Sequence, residues 1–412
     1  MIKLFLLLST FYSFSIFSQP ISYTKYVDTL CSEFFKGRGY VDNGHFKAAT
    51  FLANEFSNIG LDSLNNKGYL QKFNIAVNTF PEKITLKIND SVLIPGKDYF
   101  VDPSSGSSKG VFKIVKVNLN NWKSFLGNTI NKEQLFLSID ISNILNKDTL
   151  SLYNELKKIL SRHYPILWIS SKKLQWSVAQ YELPYPLIYL KSGVIKDKIS
   201  SIEIDLNNEF ISLLETHNIV GQLKGKNKKF IIISAHYDHL GMMGEVMFPG
   251  ANDNASGISL LLNLAKYYVE NKPKYNIVFI CFGAEEVGLL GSKFYVENPL
   301  NKLTKVKLLV NLDIVGTGED GIAVVNAFEQ KKAAKLIGKI NNNLEFFSKI
   351  KLRAQAPNSD HYWFSQKNIP AIFIYTMGGI KAYHDPYDKS NTLPLNKVED
   401  LKNLITNLIS RI

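Results

Sequence analysis

The chain has 412 residues, of which 45% are hydrophobic and 20% are charged, and this balance excludes an intrinsically disordered protein. Its length allows one large core and an accessory unit. The formal net charge of +12 raises the question of nucleic-acid binding, but only four of the 48 basic residues are arginine and the lysines form no long run, so we expect no nucleic-acid partner.

Residues 1–18 have the pattern of an export signal. Lys3 supplies a positive charge, Leu4–Leu8 begins an apolar stretch, and Ser18 ends it with a small residue. A transmembrane anchor is the alternative, but the apolar stretch is short and is interrupted by serine and threonine. We therefore expect a mature protein that begins near Gln19, lies in the periplasm or outside the cell, and has no stable membrane insertion.

The next part of the chain divides into two regions of different character. Residues 23–35 and 45–59 have helical spacing of apolar residues, which assigns 19–75 to an N-terminal helical part of the main domain. Residues 76–214 contain short alternating segments and loops, with no cluster of histidine, cysteine or carboxylate side chains. This region is predicted to be an inserted, mostly β accessory domain.

Residues 215–412 alternate between short apolar runs and helical segments. The apolar runs are 230–234, 276–282, 307–312 and 371–375, and the helical segments are 256–270, 329–342 and 397–409. Apolar strands separated by helices predict an α/β domain whose sheet is covered on both faces. Ligands of such folds bind at the carboxyl ends of the strands.

The chain has two cysteines, Cys31 and Cys281, which is too few for a disulfide framework. Cys281 lies inside an apolar run, which favours a buried free thiol over a nucleophile. The sequence leaves open whether the two cysteines pair.

Charged and imidazole side chains collect where the predicted strands end. They are His236 and Asp238 after the first apolar run, Glu285 and Glu286 after the second, Asp313 at the end of the third, His384 beyond the fourth, and Asp253 before the first helix. Taken singly, a histidine can be structural, an acidic pair can be solvated surface, and Asp253 can cap a helix. Together, two imidazoles and three carboxylates suit two zinc ions that share one bridging carboxylate.

These residues lie in sequence motifs that resemble those of the co-catalytic di-zinc aminopeptidases, metallopeptidase family twenty-eight of the MH clan. That family also includes glutamate carboxypeptidase, glutaminyl cyclases and the transferrin receptor. The matching motifs are 235–241, 250–257, 283–292, 311–316 and 383–388, with 359–361 as a sixth and Gly37-Arg-Gly39 as a weaker seventh. The resemblance implies a three-layer αβα zinc-peptidase fold with a mixed central sheet.

The resemblance also implies a role for each residue. His236 and Asp313 would bind one zinc ion, Glu286 and His384 would bind the other, and Asp253 would bridge the two. In this family the peptide bond after that aspartate is commonly cis. Glu285 would be the general base, and the Asp238 carboxylate would accept the second ring N–H of His236. Tyr383 resembles a tyrosine that some relatives use to stabilise the oxyanion, although a packing role fits it equally well.

The other polar residues receive weaker predictions. His239 and His361 are expected to line the pocket without binding metal, and Asp360 is expected to contact the ligands from behind. The remaining histidines, His45, His163 and His217, are expected to be structural or exposed.

Three functions follow from the resemblance. The first is an exported exopeptidase that removes N-terminal residues from peptides with a two-zinc-activated water. The alternatives are a glutaminyl-peptide cyclase, and a binding ectodomain without catalysis, which the complete ligand set disfavours. The insert resembles, by its position, a protease-associated domain that restricts access or binds extended substrates. The preferred side chain and the oligomeric state are left open.

Overall fold

The computed structural model describes residues 21–64, 68–126 and 134–412. The predicted export signal, residues 1–18, lies outside the described residues. The helices are α1 Ile21–Leu30, α2 Gly44–Ile59, α3 Lys147–Leu160, α4 Ser256–Glu270, α5 Leu290–Glu297, α6 Lys331–Leu344, α7 His361–Gln366 and α8 Val398–Arg411. In the described part of the chain no helix has both the length and the apolar character needed to cross a membrane.

The strands of the first half are β1 Asp62–Ser63, β2 Leu70–Thr79, β3 Thr85–Ile88, β4 Ser91–Val92, β5 Tyr99–Val101, β6 Ser108–Lys116, β7 Leu135–Asp140, β8 Ile166–Ser170, β9 Leu187–Lys191, β10 Ser201–Leu206 and β11 Glu209–Leu223. Those of the second half are β12 Asn227–His236, β13 Gly241–Met243, β14 Val246–Phe248, β15 Tyr275–Phe282, β16 Val306–Leu312, β17 Gly321–Val325, β18 Ile350–Leu352 and β19 Ala371–Met377.

The larger sheet has nine strands in the order β1-β11-β15-β12-β16-β19-β17-β18, with β2 paired to β11. The four central strands β15, β12, β16 and β19 are parallel. β11 runs antiparallel to β15, and β17 runs antiparallel to β19 but parallel to β18. This arrangement confirms the predicted mixed central sheet. The four apolar runs of the sequence are these four parallel strands.

Helices cover both faces of this sheet. Ile231 and Ile233 of β12 belong to the core formed with α1, α2, α4, α6 and α8, whereas Ile232 between them belongs to the core formed with α5 and α7. Successive side chains of a strand point to opposite faces, so a strand buried on both faces must be apolar at every position. The three-layer αβα fold is therefore confirmed.

A second sheet of eight strands, in the order β4-β3-β10-β6-β7-β8-β9-β5, lies between β2 and β11 in the chain. All of its strands fall within the predicted insert 76–214, and α3 packs on one of its faces. Strands β6 to β9 are parallel, so this sheet has α/β character as well as many strands. The exact boundaries of the insert stay a prediction, because β2 and β11 of the larger sheet cross residues 76 and 214.

The N-terminal region differs from the sequence prediction in one respect. The predicted helix 23–35 ends at Leu30, and a short 3₁₀ segment, Glu33–Arg38, follows it. This segment leads into a close approach of two loops, where a Cβ at Gly39 would lie 2.4 Å from the Cα of Gly241. The glycines of the Gly37-Arg-Gly39 motif therefore let this segment pack directly against the loop that follows β12.

Candidate metal centre

Loops at the carboxyl ends of the parallel strands carry the five predicted ligands. His236 ends β12, Asp313 follows β16, Glu286 follows β15, and His384 lies in the loop after β19. Asp253 lies between β14 and α4, and its peptide bond to Asn254 is cis, as the resemblance implied. Parallel strands bring their carboxyl ends to one edge of the sheet, which is why residues 148 positions apart in the chain meet here.

The two carboxylate oxygens of Asp253 face two different histidines. Oδ1 lies 3.2 Å from His236 Nε2, which is also 3.2 Å from Asp313 Oδ1. Oδ2 lies 3.2 Å from His384 Nε2, which is also 3.2 Å from Glu286 Oε2. Ligand atoms about 2.0 Å from a tetrahedral zinc ion are separated by about 3.3 Å. The five side chains therefore form two sets of donors that share Asp253, with spacings that fit zinc in both.

The surroundings of Glu286 and Asp253 exclude the ordinary explanations of these two residues. The side chains of His236, Asp253 and Glu286 are 1%, 5% and 5% exposed, so Glu286 is not solvated surface. Asp253 does not cap α4, whose preceding residue is Ala255 and which has no side-chain cap. Buried carboxylates are costly unless a cation or hydrogen bonds compensate them.

The electrostatics of the cluster also favour a bound cation. Burial by itself would lower the pKa of His384, but the carboxylates of Glu286 and Asp253 raise it to about 11. The pKa of His236 is likewise raised well above its usual value, against burial, by Asp313, Glu285 and Asp253. The carboxylates thus hold the imidazoles protonated in the absence of metal. The same negative field would attract a divalent cation in place of those protons.

Glu285 lies beside this cluster but has a different environment from Glu286. Its pKa is raised well above the usual carboxyl range, chiefly by burial, and the charges of Glu286 and Asp313 raise it further against the opposite effect of His236. The Glu286 carboxylate, by contrast, contacts His384 through Oε2 and His239 Nδ1 through Oε1 at 2.8 Å. The two adjacent carboxylates therefore have different contacts. That of Glu286 contacts two histidines, and that of Glu285 lines the cavity described below.

Asp238 requires a correction. The predicted acceptor for the second ring nitrogen of His236 was the Asp238 carboxylate, but that carboxylate lies 3.8 Å from Nδ1. The backbone carbonyl of Asp238 is the acceptor instead, at 3.1 Å. The carboxylate is occupied elsewhere, since it accepts the backbone N–H groups of Glu285 and Glu286 at 3.0 and 3.2 Å. Asp238 therefore orients both the histidine and the turn that carries the two glutamates.

Several residues that support the ligands were not predicted in these roles. Ser359 Oγ donates to Asp313 Oδ2 at 2.7 Å, and the buried Asp388 accepts the backbone N–H groups of Asn252 and Asp253. Both residues lie inside motifs on which the resemblance rests, so the sequence did mark their positions. The backbone carbonyl of Trp176, which contacts His384 Nδ1 at 2.9 Å, had no such signal, because a carbonyl is common to every residue.

The remaining candidates lie in different environments. Asp360 is fully buried beside the cluster, and burial raises its pKa to about 7. His361 is also fully buried and packs on Phe373. His45 and His217 are buried away from the ligands, as expected of structural residues, and His163 is exposed.

The ring of Tyr383 stacks on His384 with a centroid distance of 4.0 Å and an interplanar angle of 20°, which is a packing contact. Its pKa is raised by burial and by the nearby carboxylates, so the hydroxyl stays protonated. The hydroxyl is thus able to donate a hydrogen bond, and its role toward an oxyanion stays a prediction.

A cavity of about 210 Å³ opens beside the cluster. It is lined by Asp253, Glu285, Glu286, Asp313, Ile314, Arg353, Asn358, Phe373, Tyr375, Tyr383 and His384. Phe373, Tyr375 and Ile314 form an apolar wall, and Arg353 donates from Nη1 to the Tyr375 hydroxyl at 2.8 Å. The lining thus combines four candidate ligands and Glu285 with side chains suited to hold an organic group.

Both cysteines are free thiols, so they form no bridge. Cys281 is fully buried in β15, and burial raises the pKa of its thiol well above the usual value. A thiol in that state does not act as a nucleophile.

Arg38, the central residue of the Gly37-Arg-Gly39 motif, is fully buried. Its guanidinium donates to five backbone carbonyls, those of Leu30, Tyr237, Pro249, Gly250 and Asp253, at 2.7–3.4 Å. A lysine could not reach this many acceptors, because only a planar fork presents five donors in one plane. Arg38 therefore ties the N-terminal segment to the residue after His236 and to the loop of Asp253.

We expect Arg38→Met to lower the free energy of unfolding by about 3 kcal/mol or more, because several buried carbonyls lose their donor together. Urea unfolding of the metal-free protein measures this. Arg162, which is exposed, provides the control, and Arg162→Met should change stability by less than about 0.5 kcal/mol. Equal effects of the two substitutions would contradict the anchoring role.

The sequence profile described as Peptidase family M28 matches residues 218–409. Aminopeptidase YwaD of Bacillus subtilis (strain 168) is 33% identical over 211 residues, which are 46% of this chain and 43% of that protein. Leucine aminopeptidase 2 of Trichophyton rubrum is 38% identical over 125 residues, 29% of this chain and 24% of that protein. The chain thus spans less than half the length of these curated relatives.

Solved structures share the fold over nearly the whole chain. BSAP, a zinc aminopeptidase from Bacillus subtilis, has a TM-score of 0.69 at 21% identity, covering 94% of this chain and 95% of that chain. The Peptidase M28 precursor from Shewanella amazonensis SB2B has a TM-score of 0.67 at 16% identity, covering 95% and 93%. The likeness therefore extends through the second sheet as well as the first.

Proposed function

Residues 218–409 belong to Peptidase family M28, and on that premise we propose that the chain is a zinc-dependent aminopeptidase with two metal ions. The observation that carries the proposal is Asp253, whose two oxygens each lie 3.2 Å from a different histidine. The donor set of imidazoles and carboxylates suits zinc, and the relatives described above are named as aminopeptidases, some of them zinc enzymes.

The chain's own residues would divide the work as follows. His236 and Asp313 would hold one zinc ion, Glu286 and His384 the other, and Asp253 both. When bound, the two ions supply Lewis acidity, which lowers the pKa of a water molecule and polarises the substrate carbonyl. Glu285 would accept the proton of that water and return it to the leaving amine. Burial raises the pKa of Glu285 above the usual carboxyl range, so its carboxylate binds a proton more readily than an exposed glutamate does.

The cavity beside the cluster would hold the substrate. Phe373, Tyr375 and Ile314 would contact the side chain of the N-terminal residue, and the Tyr383 hydroxyl would donate to the oxyanion. The volume of about 210 Å³ is enough for one amino-acid side chain. We also propose that the protein is exported, on the pattern of residues 1–18.

We expect the purified protein to contain two zinc ions per chain and to hydrolyse leucyl-p-nitroanilide. Treatment with a chelator should abolish hydrolysis, and added zinc should restore it, because the proposed reaction needs the Lewis acidity of the zinc ions. N-acetyl-leucyl-p-nitroanilide is the matched control and should not be cleaved.

A glutaminyl peptide separates hydrolysis from cyclisation. Release of the N-terminal glutamine supports the aminopeptidase, whereas formation of a pyroglutamyl product with one zinc ion per chain would show a cyclase. A zinc-loaded protein that does neither to a panel of aminoacyl substrates would contradict the proposed function.

A further inference from the structure

The loop between β8 and β9, residues 171–186, leaves the second sheet and reaches the candidate metal centre. It contacts two of the loops that carry predicted ligands. Trp176 exchanges hydrogen bonds with His384, and Gln180 Nε2 donates to the carbonyl of Val287 at 2.6 Å, directly after Glu286. The second sheet, which has no candidate ligand of its own, therefore touches the ligands through this segment.

The contact with His384 determines which ring nitrogen faces the centre. Nδ1 of His384 lies 2.9 Å from the carbonyl oxygen of Trp176. A carbonyl can only accept, so Nδ1 carries a proton, and Nε2 is the ring nitrogen that faces Asp253 and Glu286 and would bind metal. A histidine that binds metal through one nitrogen needs this kind of partner on the other.

The backbone of His384 is held by the same segment. His384 has φ of +52°, in the left-handed region that a residue with a side chain seldom adopts. Its carbonyl accepts the backbone N–H of Trp176 at 2.9 Å. The two residues thus form a reciprocal pair, which fixes both the ring and the main chain of the ligand.

The position of the Trp176 carbonyl is fixed by the core of the second sheet. The indole is buried, stacks on Phe248 at a centroid distance of 4.7 Å, and donates from Nε1 to the carbonyl of Val101 at 2.7 Å. Val101 lies in β5 of that sheet, and Phe248 lies in the hairpin of β13 and β14, which packs into the same core. Movement of this core would therefore move the acceptor of His384.

An ion pair adds a second attachment beside the first. Asp385, directly after His384, has a side chain that is 4% exposed, and its carboxylate pairs with Lys173 Nζ. Lys173 Nζ also donates to the carbonyl of Lys381 at 2.8 Å. A buried carboxylate that loses its cation is destabilised, so this pair holds the His384 loop against the segment.

We propose that residues 171–186 are a working part of the metal centre, with Trp176 and Lys173 as positioning residues that orient His384 toward zinc. The inference rests on the proposed function, because it takes His384 as a ligand. The second sheet would then have a function other than restricting access or binding extended substrates. It would maintain the ligand geometry of one zinc site.

The test compares substitutions in the full-length protein. Trp176→Ala removes the indole that anchors the carbonyl, Lys173→Met removes the ion pair on an exposed side chain, and Lys173→Arg keeps it. Lys172→Met is the matched control, since Lys172 is the exposed neighbour and no side-chain contact of it occurs in the described part of the chain. Chelator competition gives the affinity for each zinc ion, and the absorption spectrum of the cobalt-substituted protein gives the ligand geometry.

We expect Trp176→Ala to weaken the binding of one of the two zinc ions by about 10–100-fold, the usual effect of losing an outer-shell partner, and to alter the cobalt spectrum. Lys173→Met should weaken the same ion by about tenfold, while Lys173→Arg and Lys172→Met leave both ions as in the unsubstituted protein.

The inference is wrong if Lys173→Met and a folded Trp176→Ala protein bind both ions with the original affinities and spectrum. It is also wrong if Trp176→Ala fails to fold and Lys173→Met alone leaves both affinities unchanged. Neither result affects the proposed function, which fails separately if the unsubstituted protein binds no zinc.

Discussion

Glu285→Gln is expected to lower kcat by about 10²–10⁴-fold while the zinc content stays at two ions per chain. Glutamine keeps the size of the side chain and removes its ability to accept a proton. The backbone N–H of residue 285 would still donate to Asp238, so the turn that carries Glu286 should keep its shape. Steady-state kinetics and metal analysis of the same preparation measure both quantities.

Glu297→Gln is the control for this substitution, because Glu297 is an exposed glutamate at the end of α5. It should leave both kcat and zinc content unchanged. Two results would overturn the assignment of Glu285. Normal turnover of Glu285→Gln would exclude it as the general base. Loss of zinc would show that Glu285 binds metal, which the proximity of its carboxylate to His236 and Glu286 makes a real alternative.

Asp253→Asn should have the second large effect, which is on metal binding rather than on proton transfer. The amide loses the negative charge and one of the two oxygens that face the histidines. Loss of an outer-shell partner costs about 10–100-fold in metal affinity, so loss of a shared ligand should cost at least about 100-fold. Activity at a limiting zinc concentration should fall by a similar factor.

The backbone N–H of residue 253 would still donate to Asp388, so the loop itself should remain in place. Asp28→Asn, on the exposed face of α1, is the matched control. A shared ligand also has a diagnostic consequence, since its replacement must weaken both zinc sites. If Asp253→Asn weakened one ion and left the other at its original affinity, Asp253 would not be a bridge.

The protein's electrostatics connect these two predictions. In the absence of metal, the carboxylates of the cluster raise the pKa of His384 to about 11, and burial raises that of Glu285 well above the carboxyl range. Both shifts have the same origin, which is a concentration of negative charge inside a poorly solvated site. Asp253→Asn should therefore also reduce the excess negative charge that the histidines now balance with protons.

Much of the larger domain could be predicted from the sequence. Strands β12, β15, β16 and β19 are buried on both faces over most of their length, so each contains a mostly apolar run that is easy to recognise. The candidate ligands follow those strands directly, and the sheet itself brings them to one edge. His236, Glu286 and Asp313 were predictable for this reason, because a few residues of local chain decide where each side chain lies.

The N-terminal region and the long strands β2 and β11 were harder to predict. β11 runs over 15 residues with an irregularity in its pairing, and it is exposed along its first half. A strand of that kind has neither a continuous apolar run nor a regular alternation, so its place at the edge of the larger sheet depends on β2 and β15. Only the assembled sheet decides it.

The sequence by itself thus determined which residue types meet at the strand ends, and therefore the metal chemistry that we propose for the site. Tertiary structure decided which atoms do the positioning. The Asp238 carboxylate holds backbone N–H groups while its carbonyl holds His236, and a carbonyl 208 residues away in the chain holds His384. The physical reason is that main-chain donors and acceptors are the same at every residue, so their partners are chosen by packing and leave no mark in the sequence.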